Sequence, residues 1–258
     1  MSKNEQTAES QALEDPQDLV LAAELQAALL PKSCPMNCEH QVTSARNRMC
    51  GSVGGDFYDF IPINEEQVAL VIGDVVGHGI RASLLMANIM GFLRSEPSKR
   101  NKPSQVIRML NRLLIDLGNR TGTVMPCSVF YAVIDQPSGL GLFVNAGHPQ
   151  PFLCNENRCT RLHLDSQNLL LGIEEFEPTE DCNLFIPGQR LVLYTDGITD
   201  TVSPQGERFG QDRLRNIIAH TAHLSPDELT QKVFDEVDSF RDGVPQVDDE
   251  TIVVFDRR

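Results

Sequence analysis

The sequence predicts an α/β sandwich, two mainly antiparallel β-sheets flanked by helix pairs, and three observations predict it. Apolar runs rich in β-branched and aromatic residues recur along the chain, among them VALVIGDV, SVFYAVID, LGLFVNAG, RLVLYTDGI and ETIVVFD, each bounded by turn residues. Two stretches, SVFYAVIDQPSGLGLFVNAG and NLFIPGQRLVLYTDG, each join two such runs through a short Pro/Gly turn, which predicts antiparallel hairpins rather than a doubly wound parallel sheet. Amphipathic helical segments interrupt the runs in pairs, and two sheets with apolar outer faces need two helical layers to cover them.

In chain order, residues 1–15 are polar and acidic and read as disordered. Asp15, Pro16 and Asp18 supply an N-cap, a first-turn proline and a first-turn acid, and Pro31 closes the helix they open. Residues 16–31 therefore form a linker or regulatory helix. Its stripe of Leu21, Leu25, Ala28 and Leu29 can pack on its own domain or on a second copy as a homodimer. The main domain runs over residues 40–258. Ile80, Leu84, Ala87 and Gly91 make one helical stripe. Ser104 caps the next, in which Val106, Met109, Leu110, Leu113, Leu114 and Leu117 recur until Gly118 stops it. GQDRLRNIIAH is a third helix, and Ser225-Pro226-Asp227-Glu228 is a capping box that opens a fourth.

A chain of 258 residues with 41% hydrophobic composition suits one large domain. The formal charge of −14 argues against nucleic acid as a partner, because phosphate-backbone affinity comes from Lys and Arg. The longest apolar run, LVLAAELQAALL, is broken by Glu24 and Gln26 and is too short to span a bilayer. Without a basic-then-apolar leader, a cytoplasmic location is expected. Seven scattered cysteines fit reduced thiols better than a disulfide framework. Cys34, Cys38 and His40 in CPMNCEH lack the second pair of ligands that a structural zinc site needs.

Acids mark several of the strand ends. VGGDFYDF holds Asp56 after two glycines, VALVIGDVVGHGI places Asp74 just past an apolar strand, LVLYTDGITD repeats the arrangement at Asp196, and QVDDETIVVF sets Asp248 and Asp249 before another strand. Any one of these is an ordinary turn or cap. Gathered at one edge of a sheet, they would repel one another and raise each other's pKa unless cations neutralised them. Hard oxygen ligands suit Mg²⁺ or Mn²⁺. A pair of such ions about 3.5–4 Å apart polarises a phosphoryl group and lowers the pKa of a shared water toward roughly 7. A G-x-S-x-G elbow, a cysteine-based phosphate loop and a Walker lysine are all missing from the sequence.

The ordered succession GGDFYDF, IGDVVGHG, NAGHPQPFL, LLLGI, LYTDGITD, GERFG and DDETIVV resembles the PPM-type metal-dependent serine/threonine phosphatases (protein phosphatase 2C-like), in their bacterial SpoIIE/RsbU-like branch. The resemblance covers roughly residues 40–258, and LQAALLP extends it to about residue 20. It implies two Mn²⁺ or Mg²⁺ ions and hydrolysis of phosphoserine or phosphothreonine on a protein. Carried over by position, Asp56 and Asp74 share the ions with help from the Val75 carbonyl, and Asp196 and Asp248 complete the cluster. Asp248 is preferred to Asp249 because the family's last ligand lies three residues before the threonine, here Thr251.

Asp59 is expected to brace Asp56, His78 is a candidate general acid, and Asn145 with His148 either approaches the site or braces its loop. Asn47-Arg48-Met49-Cys50 departs from the family's Tyr-x-Pro-Ala pattern and puts phosphate contacts there in question. The resemblance further implies a STAS-domain anti-sigma-factor antagonist as substrate, within a partner-switching pathway. Activation is expected through a separate activator protein or through dimerisation of residues 16–30. The competing expectation is a catalytically silent binding module that keeps the phosphatase fold.

Overall fold

The computed structural model describes residues 16–31, 34, 41–95, 102–156, 158–166 and 168–258. The N-terminal 15 residues, including Asp15, and two members of the CPMNCEH cluster, Cys38 and His40, lie outside the described residues. The elements in order are α1 (Pro16–Leu29), β1 (Gln41–Arg48), β2 (Phe57–Pro62), β3 (Gln67–Val75), α2 (Ile80–Leu93), α3 (Pro103–Thr121), β4 (Cys127–Asp135), β5 (Leu140–Ala146), β6 (Phe152–Cys154), β7 (Cys159–Arg161), β8 (Asp181–Leu184), β9 (Arg190–Tyr194), α4 (Asp196–Asp200), α5 (Gly210–His220), α6 (Pro226–Arg241) and β10 (Glu250–Arg257). No helix among the described residues is long and apolar enough to cross a membrane.

Two five-stranded antiparallel sheets form, in the orders β1-β10-β9-β6-β7 and β2-β3-β4-β5-β8. The period-two pattern of each strand divides its side chains between two layers. In β10, Val253 and Phe255 enter the core between the sheets with Phe60, Leu70 and Phe143. Ile252 and Val254 face the opposite way and pack with Leu214, Leu229 and Val233 of α5 and α6. The outer face of the other sheet is covered by Met86, Ile89, Leu110 and Leu114 of α2 and α3. The result is a four-layer α/β/β/α sandwich, as the strand and helix patterns predict.

Several expectations need correction. SVFYAVIDQPSGLGLFVNAG is the hairpin β4–β5, but NLFIPGQRLVLYTDG is not a hairpin: β8 pairs with β5 and β9 pairs with β10 in the other sheet. Phe185 sinks into the inter-sheet core, and the Gly188 N–H donates to the Arg257 carbonyl at 2.9 Å, so the turn carries the chain from one sheet to the other. The helix α3 begins at Pro103, with Ser104 in its first turn bonded to Glu180, and runs past Gly118 to a left-handed cap at Gly122 (φ 67°). Cys154 and Cys159, which the expectation of reduced thiols did not pair, stand directly opposite in the β6–β7 ladder and form a disulfide.

The helix α1 packs on its own domain through one face only. Gln26 is buried and Leu29 and Leu30 reach the helix-covered core, whereas Val20, Leu21 and Leu25 are exposed. The apolar stripe read from the sequence is therefore split between an inner end and an open face.

Candidate active site

The strand ends at one edge of the sandwich bring four acidic segments together, and the bonds of Asp56 run between them. Its Oδ2 accepts the Thr195 hydroxyl at 2.7 Å and the Thr251 hydroxyl at 2.6 Å. Thr195 immediately precedes Asp196 at the start of α4, and Thr251 lies in β10 just after Asp248 and Asp249. The Val75 N–H donates to the Gly55 carbonyl at 3.4 Å, which links the Asp56 loop to the end of β3 that carries Asp74. Asn47 steadies the arrangement by donating to the Thr251 hydroxyl at 2.8 Å.

Asp249 has a different task from its neighbour. Its buried carboxylate accepts the Cys50 N–H at 2.8 Å, the Gly55 N–H at 2.7 Å and the Asp56 N–H at 3.4 Å, so it clamps the Gly-Gly-Asp loop rather than facing outward. Asp248 stays exposed, its Oδ1 accepting only the Asp249 N–H at 2.9 Å among the described bonds. The glycines serve this clamp: a Cβ at Gly54 would collide with the Asp249 carboxylate, one at Gly55 with the Val75 carbonyl, and one at Gly197 with the Asp249 carbonyl. Their permissiveness is needed for close approach of protein to protein, a role the motif did not disclose.

Electrostatics separates these acids from ordinary surface carboxylates. Burial raises the Asp56 carboxyl well above its usual range, Asp74 raises it further, and the two threonine hydroxyls oppose the shift. Asp74 is pushed up to about 7, by burial first and then by Asp196, Asp248 and Asp249. Asp196 is raised by burial and by Asp200, and Asp248 is raised by burial and also feels Asp196. The nearby guanidinium of Arg208 is engaged by Asp200 at 2.9 Å.

The other predicted residues fall into place around this edge. Asp59 does not brace Asp56: its Oδ2 accepts Arg94 Nε at 2.6 Å and its Oδ1 accepts the Phe60 N–H. Arg94 also donates to the Leu29 carbonyl at 2.6 Å, so the pair ties β2 to α2 and α1. Asn145 and His148 brace their loop, the Asn145 amide bonding both the N–H and the carbonyl of His148. The His148 Nδ1 meets the Ser128 hydroxyl at 2.8 Å, and burial pushes the ring down to about 3, leaving it neutral. Ser128 is the register partner of Asp74, so this loop supports the end of β3 from behind. His78 is exposed in the loop after β3, close enough to lower the Asp248 pKa. Arg48 is turned away, bonded to Asp238 and Glu250.

Sequence reasoning missed Gln26. Its side-chain amide donates to the Gly54 carbonyl at 2.7 Å and accepts the Gly54 N–H at 3.0 Å, so α1 is latched to the loop that carries Asp56. The one available signal was a glutamine interrupting an otherwise apolar run. Thr195 and Thr251 were equally silent, because a threonine in or beside a strand is ordinary β composition.

An all-oxygen donor set of carboxylates and a carbonyl matches hard divalent cations. Among the described residues no group of three or more His, Cys, Asp or Glu side chains forms a ready-made metal cage. The arrangement fits such ions through its donor chemistry and its uncompensated negative charge. Asp56 is fixed by two hydroxyls, while Asp196 and Asp248 retain the exposure to turn inward.

The family model of Stage II sporulation protein E (SpoIIE) matches residues 64–258. The chain belongs to this family. This SpoIIE-family chain is 30% identical over 266 residues to Protein IcfG of Synechocystis, covering 93% of the chain and 41% of that protein. It is 27% identical to the phosphoserine phosphatase RsbU of Bacillus subtilis, covering 93% of the chain and 70% of RsbU. In fold it is similar to the SiaA-PP2C domain of Pseudomonas aeruginosa, with a TM-score of 0.82 and 18% identity over 100% of both chains. RsbX, solved in complex with magnesium, shares the fold with a TM-score of 0.61 and 13% identity, over 85% of this chain and 96% of RsbX.

Proposed function

We propose that the chain is a metal-dependent protein serine/threonine phosphatase acting on a phosphorylated bacterial regulatory protein. The observation that carries this reading is the bonding of Asp56 to Thr195 and Thr251, which together with the Val75–Gly55 backbone bond joins the segments carrying Asp56, Asp74, Asp196 and Asp248. Asp56, Asp74, Asp196 and Asp248, with the Val75 carbonyl, would hold two Mn²⁺ or Mg²⁺ ions. Bound there, such ions would supply Lewis-acid chemistry, polarising a phosphoryl group and making water a better nucleophile near neutral pH.

The chain's own residues do the rest. Thr195 and Thr251 orient the Asp56 carboxylate, Asp249 fixes its loop through backbone N–H groups, and the neutral His148 holds the loop behind Ser128. His78, exposed beside Asp248, is the candidate for delivering a proton to the departing serine or threonine oxygen. A silent binding module is disfavoured because it would keep the buried Asp56 and half-buried Asp74 carboxyls crowded together, both raised in pKa, with no cation to relieve the cost.

The SpoIIE kinship and the likeness to RsbU support a STAS-domain antagonist of an anti-sigma factor as substrate, within a cytoplasmic partner-switching pathway. An activator protein, or dimerisation through exposed Val20, Leu21 and Leu25, would act on the site through the Gln26–Gly54 latch. Deletion of residues 16–30 should change oligomeric state or partner response, and unchanged behaviour contradicts this regulation. The activity itself is tested by hydrolysis of para-nitrophenyl phosphate and a phosphoserine peptide with Mn²⁺, with Mg²⁺ and after chelation. Turnover that disappears on chelation is expected, and turnover that survives it contradicts the reading.

A further inference from the structure

The loop that leaves Asp74 also walls a cleft of about 310 Å³. Val76 and His78 stand on one side and Val124 on the other, with Arg81 from the first turn of α2 at the rim and Ala82 and Leu85 among its apolar lining. The two walls are fixed to each other: the Val76 N–H donates to the Pro126 carbonyl at 3.0 Å, and Arg81 Nη2 reaches the Val124 carbonyl at 3.4 Å. The walls have a preset spacing.

Two features of this cleft are unusual for its surroundings. Val76 is 60% exposed and Val124 57% exposed, so two branched apolar side chains face solvent from opposite walls of one cleft. Arg81 and His78 are basic groups at the edge of a strongly acidic site in a chain of net charge −14. A phosphate dianion approaching that acidic edge is repelled, and basic groups on one side give it a favoured direction of entry.

Val75, whose carbonyl belongs to the proposed metal site, itself lines the cleft, followed by Val76, Gly77 and His78. It is therefore continuous with the place where the phosphorylated side chain must sit. We propose that this cleft receives an apolar side chain flanking the phosphorylated serine of the protein substrate, packed between Val76 and Val124 with Arg81 beside the incoming phosphosegment. The proposal rests on the phosphatase reading and adds to it a specificity determinant separate from the hydrolytic acids. A single apolar side chain in a fitted pocket discriminates by about 10–200-fold, enough to select among phosphoproteins that share one reaction centre.

The test compares two synthetic phosphoserine peptides that differ only in carrying leucine or aspartate at the positions flanking the phosphoserine, with para-nitrophenyl phosphate as a reference lacking any flanking residue. In Mn²⁺, native protein should favour the leucine peptide in kcat/KM by about tenfold or more, chiefly through KM. Val124→Asp should erase that preference and leave para-nitrophenyl phosphate turnover within about twofold. Val124→Ala, milder at an exposed site, should lie between the two. Equal use of both peptides by native protein, or a preference that survives Val124→Asp, overturns the cleft while leaving the phosphatase reading intact. A dimer that Val124→Asp dissociates without altering peptide preference assigns the cleft to a second copy and also overturns it. Failure of native protein on all three substrates with either metal removes the underlying reading as well.

Discussion

Two groups of buried carboxylates in this molecule are treated in opposite ways. Glu250, only 2% exposed in its side chain, accepts Arg48 at 3.0 and 2.6 Å and the Thr201 hydroxyl at 3.2 Å, and is also paired with Arg241. Asp56, equally buried, has two hydroxyls and the neighbouring charges of Asp74 and Asp249. The two lie close in space, since Thr251 follows Glu250 in β10 and bonds Asp56. Among the described bonds, guanidinium groups thus reach Glu250 and only hydroxyls reach the Asp56 carboxylate. On the proposed phosphatase reading, that difference leaves Asp56 to be neutralised by an external cation.

Removing an acid from each group should have opposite consequences. Asp74→Asn or Asp196→Asn should cut metal-dependent turnover by more than about a hundredfold, since even outer-shell partners of metal ligands are worth 10–100-fold. In metal-free protein at neutral pH, Asp74→Asn should raise stability by a few kcal/mol, because holding a carboxyl raised from 3.8 to about 7 in its charged form costs roughly 1.4 kcal/mol per pH unit between those values. Glu250→Gln should instead lower stability by about 3 kcal/mol, because two guanidinium groups then lose a buried partner. Denaturant unfolding of the metal-free variants measures both, and a shared sign removes the contrast.

A subtler variant sharpens the same comparison. Thr195→Val deletes one hydroxyl from Asp56 while keeping the carboxylate, and should weaken Mn²⁺ binding by about 10–100-fold with the fold intact. Calorimetric titration checks this, and unchanged affinity would show that the hydroxyl has no part in presenting Asp56.

The smallest effect concerns pH. His148 has its folded pKa lowered to about 3, below the ordinary 6.5, because the buried ring resists protonation. The folded state therefore binds fewer protons than the unfolded chain, so this contribution to stability is fully present above about pH 6.5 and is lost as pH falls toward 3. The slope from one such group is at most about 1.4 kcal/mol per pH unit. His148→Gln should flatten the acid limb between pH 6.5 and 5 in unfolding experiments, and an unaltered slope contradicts the assignment.

The strands and helices were legible because their apolar residues repeat at the right periods, and the proposed site acids Asp56, Asp74, Asp196 and Asp248 stood out because each flanks such a run. The passage from β8 to β9 was misread as a hairpin because a short Pro/Gly turn looks the same whether the chain returns to its own sheet or crosses to the opposite one. Phe185 decides it by packing between the sheets, a tertiary contact without a local pattern. Asp59 was misassigned for a similar reason: proximity to Asp56 in sequence said nothing of Arg94, 35 residues away. Gln26, Thr195, Thr251 and the clamping role of Asp249 were illegible because they act through pairings across the fold. For the Asp248–Asp249 pair, position relative to Thr251 pointed to Asp248 as the ligand that the resemblance implies, and in the fold Asp248 is exposed while Asp249 is buried.

The most direct test of the central claim is calorimetric titration of Mn²⁺ into metal-free native protein and into Asp74→Asn at neutral pH. The account predicts two ions bound per native chain, with binding at the acidic edge lost or sharply weakened in the variant. A native chain that binds no Mn²⁺, or binds it equally well after Asp74→Asn, would contradict it.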